Sequence, residues 1–445
     1  MDNANNWREK SLKYSFWDGI FAALMTGFTA NYVLPFALAL RATNFHIAIL
    51  SSLPILFASL IQLTSAGIQE RFKNRVKIVT FASYLQAIFI IPILFIPVFF
   101  KDKSYSVELF IFFIMFSGAM SAVGSPVWSS LMSETVPKEG YGKYFAWRGE
   151  ILGFIAIGSG FIAGLILDLF YEFTGFIIIF MLATICRFIS GYFVSKMTDI
   201  PITINEEDKF TYIDFVKRLP KSNFAKFAFY IALMHFSIFL AAPFFVVYML
   251  KELQFNYTTY TIIILSGAII SMLSLPFWGY YSDKIGNAKI VKICSAFISI
   301  LPVLWVFSSN VIYLIVINAV GGYLWSGFAL AMGNFIFDAV KETKRVRAIA
   351  YFNVTVGVFL FIGAILGGYL IQYLPEIKES KLLTIFIISG ILRLIIYGFL
   401  SRTFHEVRKT EPIDEHKFFM IILWLKPTIN TFNGLFNFFR PRKGK

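Results

Sequence analysis

The stretch Phe277-Trp-Gly-Tyr-Tyr-Ser-Asp-Lys-Ile-Gly-Asn-Ala-Lys289 sits between two long apolar runs. Gly279 and Gly286 permit positive φ and close backbone approach. Asp283 can face a helix N-terminus, where unpaired N–H groups and the positive end of the dipole favour a carboxylate. Lys284 and Lys289 flank it with positive charge. A related stretch lies far upstream, Ala66-Gly-Ile-Gln-Glu-Arg-Phe-Lys-Asn-Arg-Val-Lys77, again between apolar runs, with Glu70-Arg71 opposite Asp283-Lys284. The upstream copy is degenerate, because Ala66 and Lys73 stand where the second copy has its glycines.

Composition fixes the environment. The 445 residues are 58% hydrophobic, and only 15% are charged, against about 25% in a soluble domain. Mean hydropathy is +0.70. Apolar runs of about 20 residues recur along the chain, long enough to cross a bilayer as helices. The net charge of +14 is unevenly placed. Most Lys and Arg fall at the two ends and in the loops that follow even-numbered spans, with Arg41, Lys101, Lys103, Lys251, Lys378 and Lys381 on the other side. That asymmetry predicts both termini in the cytoplasm of a cell-membrane protein. The basic surplus suits anionic lipid rather than nucleic acid, for which no module is present. Cys186 and Cys294 lie within apolar runs and offer neither a disulfide framework nor metal-ligand spacing, so no cofactor or metal is expected. The polar N-terminus, Met1 to Lys13, has no signal-peptide cleavage pattern.

Twelve spans are predicted. Residues 1–15 form an N-terminal segment. Residues 16–195 carry spans 1 to 6, at Phe16–Leu40, Ile47–Ile68, Ile78–Phe100, Glu108–Met132, Ala146–Phe170 and Thr174–Ser195. Residues 196–223 read as a polar linker with a short surface helix near Tyr212–Leu219. Residues 224–401 carry spans 7 to 12, at Phe224–Leu250, Thr258–Tyr280, Ala288–Ser308, Val311–Phe337, Ala348–Leu374 and Leu382–Ser401. The basic tail, 402–445, contains an apolar stretch at Phe418–Leu425 that is too short to span and reads as an interfacial segment.

The two halves repeat each other. Arg187 aligns with Arg393, Glu134 with Asp338, Pro35 with Pro243, and Ala23-Leu-Met25 with Ala232-Leu-Met234. This internal repeat, with a Gly-x-x-x-Asp-Lys-x-Gly loop in one half and its degenerate twin in the other, resembles the major facilitator superfamily. The resemblance covers roughly Phe16 to Arg402. It implies an all-α membrane protein of twelve transmembrane helices in two pseudo-symmetric six-helix bundles that rock about a central cavity. It also implies that the loops gate that cavity through Glu70, Arg71, Arg75, Gly279, Asp283, Lys284, Gly286 and Lys289.

Ionisable groups inside spans are functional candidates, because burying them in lipid is costly. Asp18, Glu150 and His235 are the proton-coupling candidates, since a carboxyl or imidazole in a poorly hydrated cavity can exchange a proton near neutral pH. Glu150 is also the competing partner for Arg187. Glu134, Arg187, Asp338 and Arg393 come in symmetric pairs, as intramembrane ion-pair anchors would. Asn31, Tyr32, Trp128, Tyr323, Trp325 and Asn334, with Thr26, Ser125 and Ser237, are cavity candidates whose aromatic and neutral hydrogen-bonding groups suit an uncharged or amphipathic solute. Glycines crowd span 5 (Gly153, Gly158, Gly160, Gly164) and span 11 (Gly357, Gly363, Gly367, Gly368), as surfaces that approach closely and slide would require. Span 5 lacks the proline of many exporters in the resembled family, and Phe110–Met132 lacks the arginine of its proton-driven drug exporters.

The sequence therefore predicts a secondary transporter, expected as a monomer in contact with membrane lipids. It would move a small organic solute by alternating access, coupled to protons or facilitative, with export slightly favoured over uptake. A lipid flippase of the same fold is the alternative. Four His, two Cys and scattered acids do not assemble an enzyme site.

Overall fold

The computed structural model describes residues 2–72, 74–100, 103–137, 141–170, 173–199, 222–341 and 345–408; at 2–6, 64–72, 141–143 and 346 it describes the backbone alone. The expected surface helix of the linker and the interfacial segment of the tail lie outside the described residues. Among those residues, twelve helices are long and apolar enough to cross a membrane. Span 1 is Asp2–Thr29 and, after a break, Val33–Ala39. Spans 2 to 6 are Asn44–Phe72, Arg75–Phe99, Ser106–Thr135, Tyr141–Leu169 and Thr174–Ser195. Span 7 is Asn223–Phe239, then Phe244–Val247 and a π-helical turn at Tyr248–Glu252. Spans 8 to 12 are Tyr257–Ile285, Asn287–Leu304, Val311–Ala339, Arg345–Leu370 and Lys381–Leu400. An even number of crossings brings the start of span 1 and the end of span 12 to one face, here termed the basic face.

Lipid offers no hydrogen bonds, so each span closes its backbone on itself. The two interruptions are placed alike. The aligned Pro35 and Pro243 stand in, or just before, the first turn of the restarted piece. A residue without an N–H fits there, because first-turn N–H groups have no intrahelical partner.

The second loop differs from its expected form. Helix runs unbroken through Gly279 and Asp283 to Ile285. A Cβ at Gly279 would meet nothing within 4 Å, so neither a turn nor close packing requires that glycine. Burial of Trp278, whose Nε1 donates to the Tyr323 carbonyl at 2.7 Å, carries the helix past it. The chain turns at Gly286 alone, with φ 95° and ψ 154°, a region essentially restricted to glycine. In the first half no glycine is used. Asn74 caps span 3 instead, its side chain accepting from Lys77 N at 2.8 Å.

One apolar core joins the two halves at the face opposite the basic one. It includes Tyr32, Phe36 and Ile47 from the first half with Ala241, Phe244 and Tyr260 from the second. Toward the basic face the cores separate. One cluster, around Phe227, Trp278 and Phe335, belongs to the second half, and smaller clusters around Leu131 and Val127 belong to the first. Span 5 lies along span 8, and span 2 along span 11. The glycine faces sit on these two seams. A Cβ on Gly160 would meet Leu265, and one on Gly164 would meet Thr261; Gly357 and Gly368 sit against Leu56 and Ala48 in the same way. Gly363 and Gly367 instead press span 11 onto carbonyls of Phe236 and Leu240 in span 7.

The seam makes a testable demand. A Cβ on Gly164 would stand 2.5 Å from Thr261 Oγ1 and 3.2 Å from the Tyr32 hydroxyl. Gly164→Val should destabilise the purified protein by about 1–3 kcal/mol, the usual range for overpacking. Gly158→Val, where a Cβ would meet nothing within 4 Å, should leave the thermal melt close to wild type. Equal melts for the two variants would contradict the seam.

Candidate functional site

The seal at the face opposite the basic one is fastened by polar bonds, most of them between halves. The fully buried Tyr32 hydroxyl donates to the Gly160 carbonyl and accepts from Thr261 Oγ1 at 2.8 Å. Tyr260 donates to the Asn31 carbonyl at 2.9 Å. The Asp168 carboxylate caps the start of span 8, accepting from Tyr257 N at 2.9 Å and Thr258 N at 2.8 Å. Lys251 Nζ donates to the Ala42 carbonyl at 3.1 Å. Asn31 and Tyr32, expected in a cavity, therefore belong to the seal.

Below the seal lies a cavity of about 610 Å³ between the halves. Spans 1, 2, 3 and 4 form one side, and spans 7 and 11 the other. Its polar lining includes Thr26, Gln62, Gln86, Ser121, His235 and Asn353. No Lys, Arg, Asp or Glu is among its described lining residues. Asn353 Nδ2 donates to Gln62 Oε1 at 3.0 Å, tying span 11 to span 2 across the wall. His235 Nδ1 lies 2.8 Å from the Ile231 carbonyl. That nitrogen must carry the proton, so in the neutral ring Nε2 is an acceptor. Gln86 is 8% exposed, and its Oε1 meets no donor among the described residues. Two acceptors beside the cavity, one from each half, thus have no donor among the described residues.

Of the cavity candidates Thr26 lines this space, and Trp128, Tyr323, Trp325 and Asn334 do not. The Trp128 ring lies under the Arg148 guanidinium at 4.7 Å. Tyr323 packs on Trp278 with ring centres 4.9 Å apart. Trp325 stands edge-on to Phe328 at 5.6 Å. Asn334 Nδ2 donates to Ser282 Oγ at 3.3 Å. Gln62, Gln86 and Asn353 were not among the residues expected there, because spans 2, 3 and 11 carry no periodicity that marks an inward face. An isolated amide in an otherwise apolar run was the available signal.

Two charged clusters sit within the spans. In the first half Asp18, 5% exposed, accepts from Ser190 Oγ at 2.6 Å, and Ser190 accepts from Arg187 Nη1 at 2.9 Å. Arg148 Nη2 approaches Asp18 at 3.8 Å and donates to the Ser15 carbonyl at 3.0 Å. Both arginines thus face Asp18. Glu150, expected to compete for Arg187, makes no ion pair among the described residues. In the second half Arg393 is 3% exposed and donates to Ser389 Oγ, the Ile298 carbonyl and the Ile238 carbonyl at 3.1, 3.1 and 3.4 Å. No carboxylate among the described residues answers it, because Asp18 aligns with an apolar position of span 7. The symmetric arginines are therefore held in different ways.

At the basic face each half is tied by a carboxylate beyond its last span. Asp199 accepts from Arg75 N at 2.6 Å and from Arg75 Nε at 3.0 Å. Arg75, 2% exposed, also pairs with Glu134 at 3.0 Å. In the second half Glu406 accepts from Ala288 N at 2.8 Å, the matching place at the start of span 9. There the arginine comes from the far end: Arg408 reaches Asp338 at 2.7 Å and Asp283 at 3.2 Å. Asn287 Nδ2 donates to Asp338 at 2.7 Å. Arg75 and Asp283 are accordingly bonded within their own halves. Lys284 leans over the Tyr280 ring at 5.9 Å, and Lys289 is half-buried. The side chains of Glu70 and Arg71 lie outside the described residues.

Comparison with known proteins agrees with this architecture. The sequence pattern of the Major Facilitator Superfamily matches residues 19–223 and 227–440. An uncharacterized MFS-type transporter of Methanocaldococcus jannaschii is 28% identical over 278 residues, 60% of this chain and 67% of the relative. A mutant of the nucleoside transporter NupG superposes with a TM-score of 0.70 at 13% identity, over 88% of this chain and all of that one. A bacterial homologue of the human lysosomal transporter Spinster, inward-facing and unoccupied, gives 0.65 at 12%, over 91% of this chain and 99% of the other. At such identities the structural likeness is one of fold. With the pattern spanning nearly the whole length and twelve helices arranged in two like halves, the chain belongs to the Major Facilitator Superfamily of secondary transporters.

Proposed function

We propose that the protein carries a small uncharged organic solute across the cell membrane by alternating access. The observation that carries this reading is the neutral wall of the cavity between the halves. A charged cargo entering it would lose its hydration and meet only amide, hydroxyl and imidazole groups, at a cost of several kcal/mol per ion. A neutral cargo with O–H or N–H groups would supply the donors that Gln86 Oε1 and His235 Nε2 accept. One acceptor lies in each half, so a bound solute would bridge the bodies that must rock.

The excess of Lys and Arg supports a cytoplasmic basic face with both termini there. The sealed opposite face and the divided cores below it then favour a state open toward the cytoplasm. Coupling to protons is a second element of the reading. It rests on Asp18, a carboxylate only 5% exposed within span 1. Thr26 of the same helix lines the cavity, about 12 Å along the axis from Asp18. Protonation would weaken the hold of Asp18 on Arg148 and Ser190 and free span 1 to move. Gating falls to the ion pairs of the basic face. Arg408 holds Asp283 within its own half, and releasing it would make Asp283 available to the other half.

Two experiments test this. In proteoliposomes with a pH-sensitive dye inside, an uncharged solute should equilibrate while organic acids and lipophilic cations do not. Gln86→Leu should weaken apparent affinity about 3- to 10-fold, the equivalent of one net hydrogen bond. Asp18→Asn should remove any solute-driven pH change. Transport restricted to charged solutes would overturn the reading, and so would full affinity in Gln86→Leu. The second experiment compares Arg75→Ala with Arg408→Ala. Arg75 is buried between two carboxylates, so its loss should cost about 3–5 kcal/mol. Arg408 is 42% exposed, and its loss should cost about 1 kcal/mol or less while changing the transport rate. A reversed order of thermal melts would contradict the assignment of Arg408 to gating rather than to folding.

A further inference from the structure

A second cavity, of about 540 Å³, opens at the basic-face ends of spans 7 and 12. Lys226, Arg402 and His405 line it, with Phe229, Tyr230 and Leu400 as its apolar side. Its walls are fixed. Asn223 Nδ2 donates to the His405 carbonyl at 2.8 Å, and His405 N donates back to Asn223 Oδ1 at 2.9 Å. This reciprocal pair pins the chain after span 12 to the start of span 7. Phe404 is fully buried against Phe227 and Tyr230, at 5.3 and 5.1 Å between ring centres. It anchors the segment between the flanking Arg402 and His405. Lys226 follows Asn223 by one helical turn.

Among the described residues the charge here is uncompensated. Lys226 and Arg402 make no ion pair among the described residues, and the nearby Glu406 is turned to cap span 9. Two permanent cations and an imidazole thus share a pocket with no carboxylate among its described lining residues. The fold does not require this. In the first half Trp17 holds the place of Lys226 and stacks on Phe193 at 6.1 Å, while Lys196, the counterpart of Arg402, lies over the Tyr192 ring at 5.1 Å. Aromatic rings occupy that position where the second half keeps a cationic cavity.

The setting selects the ligand. The cavity lies where the apolar run of span 12 ends at Leu400, and its flank carries Phe229 and Phe399, 37% and 78% exposed, as lipid-facing residues are. Basic pockets at this level suit phosphate-bearing headgroups, because the cations meet the phosphate while the apolar side meets the acyl chains. We propose that this cavity binds a phosphate-type anion at the membrane surface, as the headgroup of an anionic phospholipid or as free phosphate. The site is separate from the solute cavity and stands whichever solute is carried.

The test uses the purified full-length protein in detergent, with thermal melts recorded against short-chain phosphatidylglycerol, phosphatidylcholine and inorganic phosphate. Phosphatidylglycerol should raise the melting temperature, and phosphatidylcholine should not. Lys226→Gln/Arg402→Gln should weaken the phosphatidylglycerol response at least tenfold. Lys378→Gln/Lys381→Gln, which removes two charges at the other face, should keep it. Lys226→Arg/Arg402→Lys should also keep the response, which separates lost charge from lost folding. Should the double Gln variant fail to fold, His405→Gln is read in its place and should show a weaker response. A response to inorganic phosphate that the Gln variant loses supports the cavity with free phosphate as its ligand. A response to phosphatidylglycerol alone assigns the headgroup. An equal response to phosphatidylcholine, or an unchanged response in the Gln variant, overturns the proposal.

Discussion

Within a bilayer a helix can satisfy its backbone only on itself, so helices must be held together by side chains or by very close approach. The rest of this structure follows from that constraint. Where the two halves meet they use both means. Glycines bring span 5 against span 8 and span 11 against span 2, and a few polar bonds fasten one end. The fully buried Tyr32 is the clearest case. Its hydroxyl can be buried only because Gly160 offers a carbonyl and Thr261 a hydroxyl from the opposing half. The seam is therefore shallow and replaceable, as a surface that must part and re-form requires.

Charges follow a different rule. Removing one member of a buried ion pair leaves its partner stranded, so strong pairs are poor candidates for breaking in each transport cycle. The buried pairs here are intradomain. Arg75 bridges Glu134 and Asp199, and Asp18 lies between Arg148 and the Ser190-linked Arg187. Each makes a six-helix half rigid. The more exposed Arg408, shared between Asp338 and Asp283, can exchange with water at lower cost. Burial thus sorts the ion pairs into those that build a half and those that can move with respect to it.

Much of the architecture was legible in the sequence. Apolar runs separated by charged loops marked the spans, and the repeat aligned Pro35 with Pro243 at what proved to be matching breaks. Gly286 was identifiable as the turn, but Gly279 was not distinguishable from it by residue type alone. The cavity was the least legible part. Spans that are apolar all round carry no phase, so the sequence does not say which side of each helix faces inward. Tyr32 and Trp128 looked like cavity residues and are committed elsewhere, to the seal and to Arg148. Gln86 and Asn353 stood alone in their runs, and only the packing of spans 3 and 11 gives them a common space. The strap from Asp199 to Arg75 joins residues more than a hundred positions apart, with no local pattern to announce it.

The separation of charge from cavity has a mechanical consequence. A charged group on the wall would be neutralised differently in the states open to either face, and would bias the equilibrium by its own burial. A wall of neutral acceptors avoids that bias. The Gln62–Asn353 bond crosses from one half to the other within this wall, between amides that can pair equally well with water or solute. Its rupture leaves no bare charge, so its net cost is about that of one neutral hydrogen bond, roughly 1 kcal/mol. The same economy applies to Gln86 and His235. The solute path is built from groups that can change partners cheaply, while the expensive electrostatics stay inside the halves, where a proton on Asp18 is the one change that would loosen a contact.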